Sequence, residues 1–426
     1  MVCIKKDIVF VIILKKNNLK EMFNYYEMIK IFTFLGIVSI AYCDHHFLHI
    51  TDIHIDPYYD VGSPNNCLLG STGMGCCRWD SIPKEPFKKA NKWGDFNCDA
   101  TRLLVNNTFY HILNKLNYSY DFILFTGDII HHHLFSETEK GNIEQMKEFF
   151  KILEYYFPKI PIYPCLGNHD TFPIDQLAPP SIFSKFLMDY LNETWKLDKE
   201  AFETLAYGGY YTQLISPGFR IISINSLYYD NHNKLIKETI DIANQFKWLN
   251  ETLYKAEKNG ELVYFIGHIA PKMGEATSYF TKNFKEIVKR YNKTLKYQFW
   301  GHEHKDRFFV YEDGYSFGFV GGSLMSDHKY PNFRIYNYDP KTKDILDFYH
   351  YRVNLTETIR TNKISIEQSY NASHTYQLKT IDAKSFYHLA HLISTNKGYF
   401  DLYCKLYYDT PENYTCSKEL IDEIYV

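Results

Sequence analysis

The sequence has no surplus of positive charge: 47 Lys and Arg face 50 Asp and Glu across 426 residues, a formal net charge of −3, and no long basic run breaks the balance. A protein whose main affinity comes from neutralising nucleic-acid phosphates is thereby excluded. Long apolar runs are missing too. The most membrane-like stretch near the start, Ile31 to Ile40, falls well short of the roughly 20 residues a spanning helix needs. No internal repeat or low-complexity linker divides the chain. Core material, by contrast, is plentiful: 45% of the residues are hydrophobic, including 38 Tyr and 32 Phe. Such a chain folds into a globule whose stability does not require self-association, and a monomer is expected.

The short apolar run reads as a signal peptide, flanked by Met28-Ile29-Lys30 and Ala41-Tyr42-Cys43. Residues 1–43 form the expected leader, cleaved before Asp44, with translation starting at Met28; an uncleaved signal anchor is the alternative. Either route sends the bulk of the chain into the secretory pathway, to the exterior or to a lysosomal or vacuolar lumen. Membrane contact beyond the leader is expected to be weak. Cysteine usage agrees with that compartment, because Cys67, Cys76, Cys77 and Cys98 cluster early and Cys404 and Cys416 sit near the end, as disulfide-forming residues do. Cys165, inside the apolar stretch Ile160 to Leu166, reads as a buried free thiol. Sequons at Asn106, Asn117, Asn192, Asn250, Asn292, Asn354, Asn371 and Asn413 suit a glycoprotein.

Short apolar runs alternate with segments of helical period, which predicts an α/β architecture. Strands are expected over Phe47 to Thr51, Phe122 to Thr126, Ile160 to Leu166, Phe219 to Asn225, Leu262 to Ile266 and Tyr297 to Trp300. One helix should bury Val105, Phe109, Ile112, Leu113 and Leu116, a second Met146, Phe149, Phe150, Leu153 and Tyr156, and a third Phe246, Leu249 and Leu253. After about residue 355 the strand pattern fades and helical stretches such as Phe386 to Ile393 take over. The expected division is a catalytic domain over 44–355 and a small, mainly helical subdomain over 356–426.

Polar clusters end these strands. Asp52-Ile53-His54 follows the first, Gly127-Asp128 the second and Gly167-Asn168-His169-Asp170 the third, while Gly267-His268 and Gly301-His302-Glu303-His304 close two later ones. Open α/β sheets bind ligands at the carboxyl ends of their strands, so donors spread from residue 52 to residue 304 can meet. Any one cluster alone is an ordinary turn or polar loop; all five in this order are not. Imidazole and carboxylate donors without thiolate suit zinc, manganese or iron. A two-metal centre is expected, with Asp52, His54 and His304 on one ion, Asn168, His268 and His302 on the other, and Asp128 bridging through both oxygens. Two divalent ions against two carboxylates leave positive charge for an anionic phosphate group. A water shared by the ions would lose a proton and attack phosphorus in line. His169 is the expected acid for the leaving oxygen, Asp170 its orienting partner, and His132, in the run His131-His132-His133, a phosphate contact.

The ordered set resembles the calcineurin-like metallophosphoesterases. Within them, Phe47 to Pro57, Leu166 to Leu177, Ala243 to Leu249 and Tyr330 to Pro340 resemble the acid sphingomyelinase-like phosphodiesterases. The resemblance implies a four-layer fold of two packed β-sheets flanked by helices, zinc as the usual metal, and phosphodiester hydrolysis of a small phosphate compound or a lipid head group. It also implies the pairings Cys67–Cys76, Cys77–Cys98 and Cys404–Cys416. Acid sphingomyelinase carries a saposin domain ahead of its catalytic domain, whereas here the first strand is expected almost at the end of the leader. That layout resembles the sphingomyelinase-like phosphodiesterases that act on nucleotides and other soluble esters. Vacuolar endopolyphosphatase is the alternative enzyme, and an inactive secreted binding protein the alternative of another class. Glu303 stands where the family usually has threonine.

Overall fold

The structure is a computed structural model, and it describes residues 44–426 apart from 69–74, 134–136, 179–190, 192–193, 237–239, 273 and 327. The expected leader and the sequon at Asn192 lie outside the described residues. Residues His45–Val426 form one compact unit.

Two six-stranded sheets make up its centre. The first has the order β12-β11-β10-β1-β2-β3, from Ile366–Asn371, Ile345–Val353, Asn332–Tyr338, His45–Ile50, Tyr120–Phe125 and Ile162–Pro164. The second runs β4-β5-β6-β7-β9-β8, from Tyr211–Ser216, Phe219–Ser223, Leu262–Ile266, Leu295–Trp300, Phe317–Val320 and Arg307–Val310. Strands β1, β2 and β3 are mutually parallel, as are β5, β6, β7 and β9, so their carboxyl ends collect on one side.

The period of two along each strand separates the layers. Phe47 points between the sheets, where it stacks on Phe122 and Tyr336 at 4.8 and 4.7 Å and meets Phe299 edge-on. Its neighbours Leu48 and Ile50 point the other way, into the core shared with the helices. On that face lie α1 (Arg102–Asn114) and α2 (Glu139–Tyr156), capped by Thr101 and Thr138, whose hydroxyls accept from Leu104 N and Gly141 N. The second sheet is covered on its outer face by α3 (Lys199–Gly208), α4 (Gln245–Lys258) and α5 (Ser278–Arg290). These are the four layers that the resemblance implied.

Three local expectations change. Leu113 is exposed, because the buried stripe of α1 runs through Val105, Phe109 and Ile112. The third strand is shorter than its apolar run, since Pro161 and Pro164 offer no N–H to a ladder. The tail, after a short helix over Leu355–Thr361, contains a strand, β12, before its helices α6 (Ala383–Thr395) and α7 (Lys397–Tyr408). Those helices share a core with the second sheet: Phe386 packs on Phe308 and Phe317 at 4.9 and 4.8 Å, and Tyr403 on Phe308.

Disulfides join Cys67 to Cys76, Cys77 to Cys98 and Cys404 to Cys416, and Cys165 is a buried free thiol. Of the sequons, Asn117, Asn250, Asn292 and Asn413 are exposed. Asn106 is half-buried, as are Asn354 and Asn371, whose amide nitrogens donate to Glu367 and Asp347.

Candidate metal centre

Each strand expected to deliver a donor does so at its carboxyl end, and the chain turns sharply there. Asp52, His54, Asp128, His302 and His304 all hold positive φ, between 41° and 74°. This region is sparsely used by residues other than glycine, and Asn, Asp and His tolerate it best. Gly127 (φ 95°) turns in the same way, and a Cβ there would lie 2.6 Å from Gly167 N. At Gly167 a Cβ would fall 2.0 Å from Asp128 Oδ1. Both glycines let two loops touch.

Two groups of donors result. In the first, His54 Nε2 and His304 Nε2 lie 3.0 Å apart, with Asp52 Oδ1 3.9 and 3.5 Å from them. In the second, Asn168 Oδ1 lies 2.8 Å from His268 Nε2 and 2.9 Å from His302 Nδ1. Asp128 stands between them, its Oδ2 3.6 Å from His54 Nε2 and 3.1 Å from His268 Nε2. That oxygen alone faces both groups; Oδ1 accepts from His169 N at 2.8 Å. Of the two oxygens expected from sequence to bridge, only Oδ2 therefore faces both donor groups, because the backbone of the next loop claims Oδ1.

The profile of the calcineurin-like phosphoesterase family matches residues 45–306, more than half of the chain. The chain belongs to that family. The profile of the acid sphingomyelin phosphodiesterase C-terminal region matches residues 320–419 of this phosphoesterase. It is 30% identical to "Sphingomyelin phosphodiesterase A" of Dictyostelium discoideum, an alignment covering 95% of this chain and 68% of that protein. "Sphingomyelin phosphodiesterase 2" of Caenorhabditis elegans is 32% identical, with 87% and 65% covered. "Cyclic GMP-AMP phosphodiesterase SMPDL3A" of Homo sapiens is 30% identical, with 87% and 84% covered. The chain thus spans about two thirds of the first two relatives and most of the third.

Around the donors, the phosphoesterase fixes which nitrogen of each imidazole faces inward. His54 Nδ1 donates to Ile130 O and His268 Nδ1 to Thr126 O, both at 2.6 Å, which leaves the Nε2 lone pairs directed at the other donors. His302 turns Nδ1 inward, with Glu275 Oε2 3.6 Å from its Nε2. Asn168 presents its oxygen because its Nδ2 donates to Asp175 Oδ1 at 2.7 Å. Asp52 is held by Thr51 Oγ1 and by His302 N.

Electrostatics follow from burial. Burial pushes His54 towards the neutral imidazole that a cation requires, and the nearby His132 adds to the push; burial and His132 likewise lower His169, against the pull of the Asp128 carboxylate. Burial also opposes charge on His268, yet the Asp128 carboxylate outweighs it and raises the pKa to about 9, so Nε2 holds a proton that a bound cation would displace. Burial would raise Asp52 and Asp128, but His304 and His54 around the first and His268 and His169 around the second hold both below the usual carboxylate range. Inward-facing lone pairs and carboxylate oxygens crowd one buried space, and divalent cations satisfy them together. The residues fit a dimetal site.

Above the first group lie His132 and His169, with ring centroids 4.0 and 4.8 Å from that of His54 and 4.4 Å from each other. His169 Nδ1 donates to His131 O at 3.2 Å. Asp170 does not orient that ring, contrary to expectation. Its oxygens accept from Gly167 N, Asp128 N and Ile129 N, so it fastens the second ligand loop to the third. The anchor that sequence reasoning missed is Asp99, which accepts from both His132 N (2.9 Å) and His132 Nδ1 (2.6 Å). Its only signal was position, one residue after Cys98. Glu275 and Asp175 were missed as well. His131, the neighbour of His132 in the triplet, is fully buried.

Proposed function

We propose that this phosphoesterase hydrolyses phosphodiesters in the secretory pathway or in an acidic lumen, with Asp52, His54 and His304 holding one zinc ion, Asn168, His268 and His302 a second, and Asp128 Oδ2 shared. When bound, such ions polarise phosphoryl oxygens and lower the pKa of water. The chain's own residues supply the rest. Asp128 is fixed by His169 N and the two neighbouring loops, so the shared oxygen needs no rearrangement as charge develops. His132, tied down by Asp99, faces the first donor group and hydrogen-bonds a phosphoryl oxygen. His169, its Nδ1–H held by His131 O, turns its free ring nitrogen to the leaving oxygen and delivers a proton there once the anionic phosphate group beside it favours the imidazolium.

The observation that carries this reading is the opposed pair His54 Nε2 and His304 Nε2, 3.0 Å apart beside Asp52 and Asp128. Similarity to phosphodiesterases of sphingomyelin and of cyclic GMP-AMP supports a diester substrate and leaves its head group to experiment. Purified protein should hydrolyse bis(4-nitrophenyl) phosphate, lose that activity to a strong chelator and regain it with zinc. No turnover between pH 4 and 8 in zinc-loaded protein would overturn the proposal in favour of a binding protein. Sphingomyelin in detergent, a cyclic dinucleotide and long-chain polyphosphate, compared with one preparation, identify the substrate.

A further inference from the structure

The turn His302-Glu303-His304 contributes one donor to each group, and both histidines sit at positive φ, 74° and 54°. Such a conformation persists only where its surroundings over-determine it. On one side the tie is His302 N, which donates to both oxygens of Asp52 at 3.0 Å. On the other it is Glu303. Its Oε2 accepts from Arg307 Nε at 2.7 Å, its Oε1 accepts from Arg307 Nη2, and Lys272 Nζ lies 3.4 Å from Oε2. The Arg307 side chain is fully buried. Burying two charges is costly unless each is well paired, so this pair needs its geometry intact.

Arg307 carries the tie onward. Its Nη1 donates to Glu423 O at 2.9 Å, and the last residues run beside β8, with Val310 N donating to Ile424 O and Val426 N to Val310 O. Glu423 is itself held, by Tyr407 O–H at 2.7 Å and by Lys272 Nζ at 3.6 Å. A continuous set of polar contacts therefore links the ligand turn to the C-terminal segment. Threonine at 303 would be too short to reach the guanidinium, so this tie depends on the length and charge of the glutamate side chain.

We propose that Glu303 and Arg307 are positioning residues of the metal centre: their buried pair clamps the His302–His304 turn against the C-terminal segment and sets the affinity for both ions. The inference rests on the dimetal reading. Its test is calorimetric titration of zinc into chelator-treated full-length protein, comparing wild type, Glu303→Gln, Glu303→Thr and Arg307→Met. Arg220→Met, which breaks the remote Arg220–Glu261 pair, is the control. Glu303→Thr and Arg307→Met should weaken both ions ~10–100-fold, Glu303→Gln less, and raising zinc should restore turnover. Arg220→Met should lower only the melting temperature. Wild-type affinity in Glu303→Thr and Glu303→Gln would overturn the proposal, and these two decide it if Arg307→Met fails to fold. A wild-type protein that takes up fewer than two ions overturns the dimetal reading itself, before any variant is made.

Discussion

The two donor groups are built alike but sit differently. Asp52, His54 and His304 have side chains at most 8% exposed and lie beneath His132 and His169. In the other group His302 is 17% exposed and its outer partner, Glu275, 38%. The first is held by packing and by neighbouring imidazoles. The second relies in part on a carboxylate that water and salt can screen. The two ions should consequently differ in how readily they leave, while the chemistry of proton transfer belongs to the buried side.

The most damaging change should be the one that removes what the groups share. Asp128→Ala should lower hydrolysis by on the order of 10³ or more and reduce metal content measured by mass spectrometry; retention of both ions would break the shared-oxygen account. His169→Ala should cost ~10²–10⁴ in turnover with both ions retained, and loss of an ion would show that this side is not divided into donors and acid.

A sharper contrast comes from the outer partners. Asp99→Asn should lower turnover ~10–100-fold without changing metal content, since Asp99 anchors His132 alone. Glu275→Gln should leave the first ion in place and weaken the second by roughly tenfold, seen as earlier release during graded chelation. Simultaneous release of both ions in that variant would erase the distinction.

The smallest effect lies away from the centre and tests whether acid sensitivity belongs to it. The hydrogen bond from Arg220 holds Glu261 below its usual pKa. A depressed carboxylate contributes stability that is present above its unfolded value, ~4.3, and lost as pH falls through the folded value. Arg220→Met should therefore remove about 0.5–1 kcal/mol at pH 7 and less below pH 4, read from chemical denaturation. An equal loss at both pH values would assign the effect to packing.

Sequence alone made the strand ends and their donors legible, because Gly-Asp, Gly-Asn-His and Gly-His-x-His stand directly after apolar runs. The residues that hold the donors and His132 in place were not legible. Asp99 and Glu275 lie in loops whose polar residues carry no periodicity, and only folding brings them to His132 and His302. Strand β12, Ile366–Asn371, escaped for another reason: it is an edge strand with only Tyr370 buried, so its polar composition hides the alternation. Asp170 was found but misread, since adjacency in sequence suggested a contact with His169 that the short turn redirects to backbone N–H groups.

Five donors occupy backbone conformations that most side chains avoid, and this limits what could replace them. Transplanting the seven side chains onto another scaffold would fail unless its loops also bent left-handed at the matching points. Drift at those five positions is narrowed to the few residue types, chiefly Asp, Asn, His and Gly, that accept such a bend, so the shape of the main chain guards the donor set independently of the reaction.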